Sequence, residues 1–325
     1  MVALVTGAAG FIGSHLTEAL ASRAQDLRAV DCFTPYYDPA IKRRTAAALA
    51  DRGIVIEATD LRRADLDALL RGVDLVFHCA AQPGVRASWD AGFEAYVEQN
   101  VLVTQRLLEA CRRASVARFV YSSSSSIYGN ATSYPTVESQ MPAPVSPYGV
   151  SKLAGEHLCS VYAANFGVPT VSLRYFTVYG PRQRPDMAMW RLIDATRSGV
   201  PFPMFGDGSQ VRDFTFVGDV VRANIAAADA QIAAGEVINI AGGGSTTLRE
   251  VIEIVGRAVG TDVPVEAFPP QAGDVERTGG SIEKAKALLG WEPQVAVSEG
   301  IARQVEWQVS GGTGTSTGAG HHVEP

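Results

Sequence analysis

The sequence predicts an α/β fold, a Rossmann-type doubly wound parallel sheet with a smaller C-terminal substrate-binding lobe. Three observations point there. Short apolar runs alternate with longer amphipathic stretches through the first half, a glycine turn closes the first run, and the rhythm breaks after Tyr175. At 325 residues, 46% hydrophobic and 19% charged, the chain is too long for one small core and too apolar for disorder. Its net charge of −6 excludes nucleic acid as a default partner. Any anionic ligand must therefore be held by local devices, meaning helix N-termini and a few placed arginines.

The strand candidates are residues 3–6, 28–31, 55–59, 75–79, 118–122 and 170–175. They are near-continuous apolar runs, as parallel strands buried on both faces require. Amphipathic stretches 14–24, 96–114 and 148–166 lie between them and supply right-handed crossovers. Residues 1–175 thus read as a dinucleotide-binding domain, joined by a returning segment near 213–241. The remainder of 176–309 reads as the substrate lobe. Its pieces are a Pro/Gly/Arg loop at 180–185, a helix at 188–198, and the apolar stretch 201–208. A further strand and helix, a strand at 237–241, a loop or edge strand at 264–270 and a short helix at 282–289 follow, with a capping turn at Trp291. Too small for a core of their own, these pieces read as a lid on the sheet's C-terminal edge. Residues 310–325 are Gly/Ser/Thr-rich, a flexible tail carrying solvated His321 and His322.

Cys32, Cys79, Cys111 and Cys159 are scattered, which argues against a disulfide framework or a metal site and suits a reducing cytosol. No apolar run approaches a membrane span. The N-terminus runs straight from a strand into a glycine turn and has no signal-peptide pattern.

That turn is Thr6-Gly7-Ala8-Ala9-Gly10-Phe11-Ile12-Gly13. Glycines at these positions allow a tight turn, close approach of backbone to a pyrophosphate, and close helix–strand packing. Asp31 closes the second strand eighteen residues beyond Gly13, where a carboxylate accepts ribose hydroxyls. Cys32 and Phe33 follow, with no arginine for a 2′-phosphate, so NAD is expected over NADP. Asp60-Leu61 would bound the adenine, and Ala80-Ala81-Gln82 would let backbone approach the cofactor. His78 reads as a packed strand residue.

The fifth strand runs into Ser122-Ser123-Ser124-Ser125-Ser126, an odd end for a buried strand unless hydroxyls are wanted there. Tyr148 and Lys152 are four apart and share a helix face. A phenol titrates near pH 10. An adjacent ammonium and a positive nicotinamide are expected to lower that value and make Tyr148 a general base, with a strand-end serine on the same sugar oxygen.

With these motifs the chain resembles the extended short-chain dehydrogenase/reductases that act on nucleotide sugars, over nearly its whole length to about Gln308. The resemblance implies bound NAD, oxidation of the sugar at C4, and a catalytic trio of Tyr148, Lys152 and Ser124. The cofactor contacts expected with it are Gly7, Gly10, Phe11, Ile12, Gly13, Asp31, Lys42, Asp60, Leu61, Ala80, Ala81, Gln82, Asn100, Ser122, Tyr148, Lys152 and Tyr175. It also implies a cytoplasmic homodimer, paired through the helices at 96–114 and 148–166.

Three longer strings, 31–42 around Tyr36-Tyr37, 78–88 around Gln82-Pro83-Gly84-Val85-Arg86, and 174–187 ending Arg184-Pro185-Asp186-Met187, resemble UDP-glucuronate 4-epimerases. By that resemblance Arg184 holds the sugar carboxylate, and Arg212 and Arg277 meet the UDP phosphates or ribose. Asp186-Met187 reads as shaping the turn, and 201–205 as apolar surface for a uracil ring. Many relatives have Asn where this chain has Thr177, whose hydroxyl still donates one hydrogen bond.

Chemistry narrows the outcome. Oxidation of glucuronate at C4 makes a β-keto acid, which loses CO₂ when its carboxylate stands perpendicular to the carbonyl plane. An epimerase must hold the carboxylate away from that geometry, and Arg184 with hydroxyls from Ser125, Ser126 or Thr177 can do so. Relatives that decarboxylate carry Thr-Ser-Glu, and 4,6-dehydratases Thr-Asp-Glu, where this chain has Ser124-Ser125-Ser126. The missing acid favours interconversion of UDP-glucuronate and UDP-galacturonate. UDP-glucose 4-epimerase, UDP-glucuronate decarboxylase and a non-catalytic NAD-binding protein are the alternative readings.

Overall fold

The structure is a computed structural model and describes residues 1–269 and 275–311. The tail expected at 310–325 lies outside the described residues from position 312 on, as do His321 and His322. In chain order the first half runs β1 (Val2–Thr6), α1 (Phe11–Leu20), β2 (Asp26–Asp31), α2 (Pro39–Ala50), β3 (Ile56–Ala58), α3 (Leu66–Leu69) and β4 (Leu75–His78). Then come α4 (Phe93–Tyr96), a π-helical stretch (Val97–Leu102), α5 (Val103–Ala114), β5 (Arg118–Ser124), α6 (Pro147–Phe166) and β6 (Thr170–Tyr175). The second half adds β7 (Val178–Tyr179), α7 (Ala188–Ser198), β8 (Phe202–Phe205), β9 (Val211–Arg212), β10 (Thr215–Phe216), α8 (Val217–Asp229) and β11 (Glu236–Ile240). β12 (Thr246–Thr247), α9 (Leu248–Val259), β13 (Val265–Phe268), α10 (Glu283–Leu289) and α11 (Val297–Val309) complete it.

Seven strands form one parallel sheet in the order β11-β6-β5-β4-β1-β2-β3. The chain starts in the middle at β1, builds outward through β2 and β3, then returns to β4 on the other side. Two neighbouring strands whose crossovers leave in opposite directions open a crevice beyond their C-terminal ends, where open α/β sheets place ligands. Gly7 after β1 and Ala80 after β4 stand on either side of it.

Helices cover both faces of the sheet. One face packs Leu66 of α3, Leu107, Leu108 and Cys111 of α5, and Cys159 and Tyr162 of α6. The other packs Leu16 and Leu20 of α1 with Val217, Val220 and Val221 of α8, and continues through Leu192 and Ile193 of α7, Val255 of α9 and Ile301 of α11. A doubly wound sheet must be covered on both sides, and α8, inside the returning segment near 213–241, joins α1 on the second face and packs against β5 and β6.

The sequence reading named no helix at α2, α9 or α11. α2 buries only Lys42 and Leu49, so its apolar period is faint, yet Asp38 accepts from Ala40 N and Pro39 opens the helix. α9 opens on a capping box in which Thr247 and Glu250 satisfy each other's backbone N–H groups. Among the described residues no helix is long and apolar enough to cross a membrane, and no group of three or more His, Cys, Asp or Glu is placed to hold a metal ion. All four cysteines are free.

Two imidazoles, His78 buried and His15 half-buried, are expected to make the fold acid-sensitive. His78 is hydrogen-bonded through Nδ1 to Thr6 Oγ1 at 2.8 Å and through Nε2 to Thr104 Oγ1 at 3.1 Å. Burial, aided by the Lys152 charge, lowers its pKa to about 3. Burial and then Arg182 lower His15 to about 4. Unfolded, both protonate near 6.5. The unfolded chain therefore holds more protons below that value, and the stability present above pH 6.5 is lost as pH falls toward the folded values. Asp213, raised by burial to about 6, acts in the opposite sense, its neutral form favouring the fold until pH rises through that value. The two larger shifts dominate. Urea midpoints are expected to fall steeply between pH 6.5 and 4.5, and a flat profile would contradict this account.

Candidate active site

Strand ends and helix starts build one cleft at the crevice. Gly7 turns with φ +70°, where a side chain is strained, and a Cβ there would lie 2.8 Å from Ala80 N. A Cβ on Gly13 would lie 2.1 Å from Gly7 O. The turn thus presses α1 onto β1 and brings bare backbone to the cleft floor. Gly10 precedes α1 and offers no side-chain cap, which leaves the first N–H groups of the helix for an anion. Gly7, Gly10, Phe11, Ile12 and Gly13 all line the cleft.

Asp31, only 4% exposed, accepts from Ala9 N at 3.1 Å, Phe33 N at 2.7 Å and Lys42 Nζ at 3.1 Å. Asp60 and Leu61 continue this wall. Lys42 and Arg62, cations in the same wall, are each held by carboxylates, Lys42 by Asp31 and Arg62 by Asp60 and Glu98. Such a wall accepts ribose hydroxyls and disfavours a 2′-phosphate. The glycine cradle, the open helix start and Asp31 together fit NAD.

Ala80 and Ala81 line the cleft, whereas Gln82 is buried behind them. Asn100 is buried outside the cleft lining, its amide engaged by Gln82 and Ser151. Its Oδ1 accepts from Gln82 N at 2.7 Å, and its Nδ2 donates to Gln82 O at 3.0 Å and to Ser151 Oγ at 2.9 Å. The π-helical stretch carries Asn100 and lets it clamp α6 against the end of β4.

At the other end of the cleft the β5 pleat sorts the serines. Ser122 is hydrogen-bonded to the Tyr175 hydroxyl at 3.2 Å and to Cys79 Sγ at 3.4 Å, and both Ser122 and Tyr175 line the cleft. Ser123 turns its hydroxyl to Glu156 at 2.8 Å, where Arg174 also binds. The Ser124 hydroxyl lies beside the Tyr148 phenol, whose pKa it lowers, and accepts from Ser126 N at 3.1 Å. Tyr148 and Lys152 both face the cleft from α6. Lys152 Nζ lies 4.6 Å from the centroid of the Tyr121 ring.

The electrostatics depart from expectation. Burial raises the Tyr148 pKa above its usual value, and only the Ser124 hydroxyl and the Arg184 charge pull it back. The ammonium expected to lower it is itself weakened, since burial brings Lys152 down to about 8. In the protein alone both groups are thus biased toward their neutral forms.

Arg184 lies in the cleft wall with Tyr148. Its Nε donates to Asp186 Oδ1 and its Nη2 to Asp186 Oδ2, each at 2.9 Å. Asp186 therefore does more than shape the turn. Thr177 sits where β6 passes to β7, and its carbonyl accepts from Thr215 N. Ser125 and Ser126 form a short turn after β5, and a Cβ on Gly149 would lie 2.6 Å from Ser126 O, so α6 starts against it.

Arg212 and Arg277 are brought together, because Val211 bridges Arg277 in parallel register. They stand in the lobe, with Arg277 stacked 4.8 Å over the Tyr134 ring, and neither lines the cleft as described. The sequence reading gave no role to Arg86 and Arg191. Arg86 stacks 4.7 Å over Phe205, and Arg191 lies 5.6 Å over Phe202, so guanidiniums cover rings expected to receive a uracil. It likewise gave none to Tyr36 and Tyr37, which line the cleft. The signal was present, since Arg86, Tyr36 and Tyr37 lie inside the three longer strings.

Comparison with known proteins agrees with this geometry. A UDP-glucuronic acid 4-epimerase from Bacillus cereus, solved with UDP-glucuronic acid and NAD, superposes with a TM-score of 0.90 at 41% identity, over 94% of this chain and 98% of that one. An uncharacterized UDP-glucose epimerase of Bacillus subtilis (strain 168) is 41% identical over 94% of this chain and 98% of its own length. A UDP-glucose 4-epimerase of Mycolicibacterium smegmatis is 37% identical over 94% and 98%. Residues 3–241, which run from β1 to just past β11 and include the glycine turn, Ser124, Tyr148 and Lys152, match one family. The chain belongs to the NAD dependent epimerase/dehydratase family.

Proposed function

We propose that this chain interconverts UDP-glucuronate and UDP-galacturonate, as one specific form of NAD-dependent nucleotide-sugar 4-epimerase. Its relatives divide between uronate and glucose epimerases at similar identity, so the site must decide. The observation that carries the reading is Arg184, a guanidinium in the cleft wall beside Tyr148, opposite a serine run that contains no acid. A neutral C5 substituent needs no such cation, and a carboxylate does.

When bound, NAD would supply a hydride acceptor and donor for C4 and a positive charge, held by the glycine turn and Asp31. The chain's own residues manage protons and orientation. Tyr148 takes the proton from the C4 hydroxyl and later gives it back, while Ser124 donates to the same oxygen. Burial keeps the phenol protonated in the protein alone, so proton abstraction awaits a positive charge in the cleft. Lys152 lies one helical turn on, along the same face as Tyr148. Arg184 restrains the carboxylate while the 4-keto ring turns over. Arg212 and Arg277 would meet the UDP moiety from the lobe.

Proton NMR of the purified protein with UDP-glucuronate tests this in one tube. Galacturonate signals are expected to grow toward equilibrium. UDP-pentose with CO₂ as the only products would overturn the reading in favour of a decarboxylase, and conversion of UDP-glucose alone would favour the glucose epimerase. The same reading expects a cytoplasmic homodimer paired through α5 and α6. Val161 and Phe166 of α6 stand 50% and 51% exposed there, and light scattering would report twice the 34.4 kDa chain mass.

A further inference from the structure

We propose that Asp186 is a positioning residue that fixes the plane of the Arg184 guanidinium and thereby sets how much of the 4-keto intermediate escapes as CO₂. The proposal rests on the uronate reading above. Asp186 grips one edge of the fork only, through Nε and one Nη2 proton at 2.9 Å each. Among the described residues no hydrogen bond is made to Arg184 Nη1. The end-on edge, formed by Nη1 and the second Nη2 proton, is therefore the edge left for a ligand. Two parallel bonds on the side edge remove rotation about the last side-chain torsion, which a single bond would leave free. Asp186 is itself anchored, since the Tyr36 hydroxyl donates to its Oδ2 at 3.4 Å. Tyr36 and Arg184 both line the cleft that holds Tyr148.

The fixed plane matters because of what C4 oxidation creates. In the β-keto acid, decarboxylation breaks the C5–C6 bond, its electron pair enters the enolate of the C4 ketone, CO₂ leaves, and C5 takes a proton from water. The step is fast only when the breaking bond stands perpendicular to the carbonyl plane. A guanidinium whose plane is locked imposes one orientation on a carboxylate held end-on. A guanidinium free to swing follows the carboxylate into the reactive geometry. Asp186 thus acts on the choice between two fates of one intermediate, and its carboxylate need not touch the sugar.

The test is the product ratio from UDP-glucuronate, read by NMR together with released CO₂, in wild type, Asp186→Asn, Asp186→Glu and Tyr36→Phe. Wild type must first give UDP-galacturonate; if it does not, the uronate reading has failed and the ratio is not at issue. Given that, Asp186→Asn is expected to raise the decarboxylated fraction, read as CO₂ with UDP-4-keto-pentose or, after return of the C4 hydride, UDP-pentose, by about tenfold, the equivalent of one lost charge-assisted bond. Asp186→Glu should bring the ratio back toward wild type, because it restores a carboxylate. If Asp186→Asn loses bound NAD through misfolding, Tyr36→Phe carries the test, with a smaller rise in the same direction. A fall in rate with no change in the ratio, in whichever variant remains folded, would overturn the proposal, since a merely structural residue lowers both products together.

Discussion

Tyr148→Phe is expected to cut turnover by about 10³-fold while NAD remains bound, because one oxygen atom carries the proton transfer at C4. The half-buried Tyr148 side chain stands beside Ser124 and packs edge-on against Tyr96 with ring centroids 6.1 Å apart. Phenylalanine keeps the ring and that packing, so the cleft should not collapse. The Gly7–Gly13 turn and Asp31, which would hold the cofactor's phosphates and adenosine, lie at the other end of the cleft. Loss of rate with loss of cofactor would mean a folding defect; loss of rate with full NAD content, measured on the cofactor released by denaturation, identifies the base. Retained turnover would refute the role of Tyr148. The raised phenol pKa adds a second readout. Burial opposes the phenolate in the protein alone, so a cofactor-free preparation should show no tyrosinate absorbance at neutral pH.

Much of this site was legible in the sequence because its signals are local. The glycine turn needs only a strand before it and a helix after it, and Asp31 needs only the end of the next strand. The spacing of Tyr148 and Lys152 already puts them on one helix face. The five serines were harder. Composition shows that hydroxyls are wanted, but only the pleat separates Ser124, which meets Tyr148, from Ser123, which meets Glu156. Three features could not be read from the chain alone. The rise in the Tyr148 pKa is a product of burial, a tertiary quantity. The engagement of the Asn100 amide depends on Gln82 and Ser151 arriving from two other segments. The packing of α11 against β7 and β10 depends on partners far away in the chain that no single segment reveals. The grip of Asp186 on Arg184 sits between these cases, since the two residues are adjacent but for Pro185 and their pairing needs the loop's conformation.

Arg184→Ala should lower kcat/KM for UDP-glucuronate by about 10²–10³-fold, with a much smaller loss on UDP-glucose. Two effects add on the uronate. The first is the lost charge-assisted contact to the sugar carboxylate. The second is what stays behind, since the Asp186 carboxylate then stands beside that wall with no cation to neutralise it, where it repels the substrate's own. The Tyr148 phenol also loses a neighbouring positive charge that pulls its pKa down, and this is the part of the loss that both substrates share. The pairwise logic yields a sharper comparison. Adding Asp186→Asn to Arg184→Ala removes the stranded charge and should recover part of the uronate activity. Added to wild type, the same change should instead harm product selectivity. An equal loss on both substrates would sink the carboxylate role of Arg184, and a double variant worse than Arg184→Ala on the uronate would show that Asp186 acts on the site by some route other than this guanidinium.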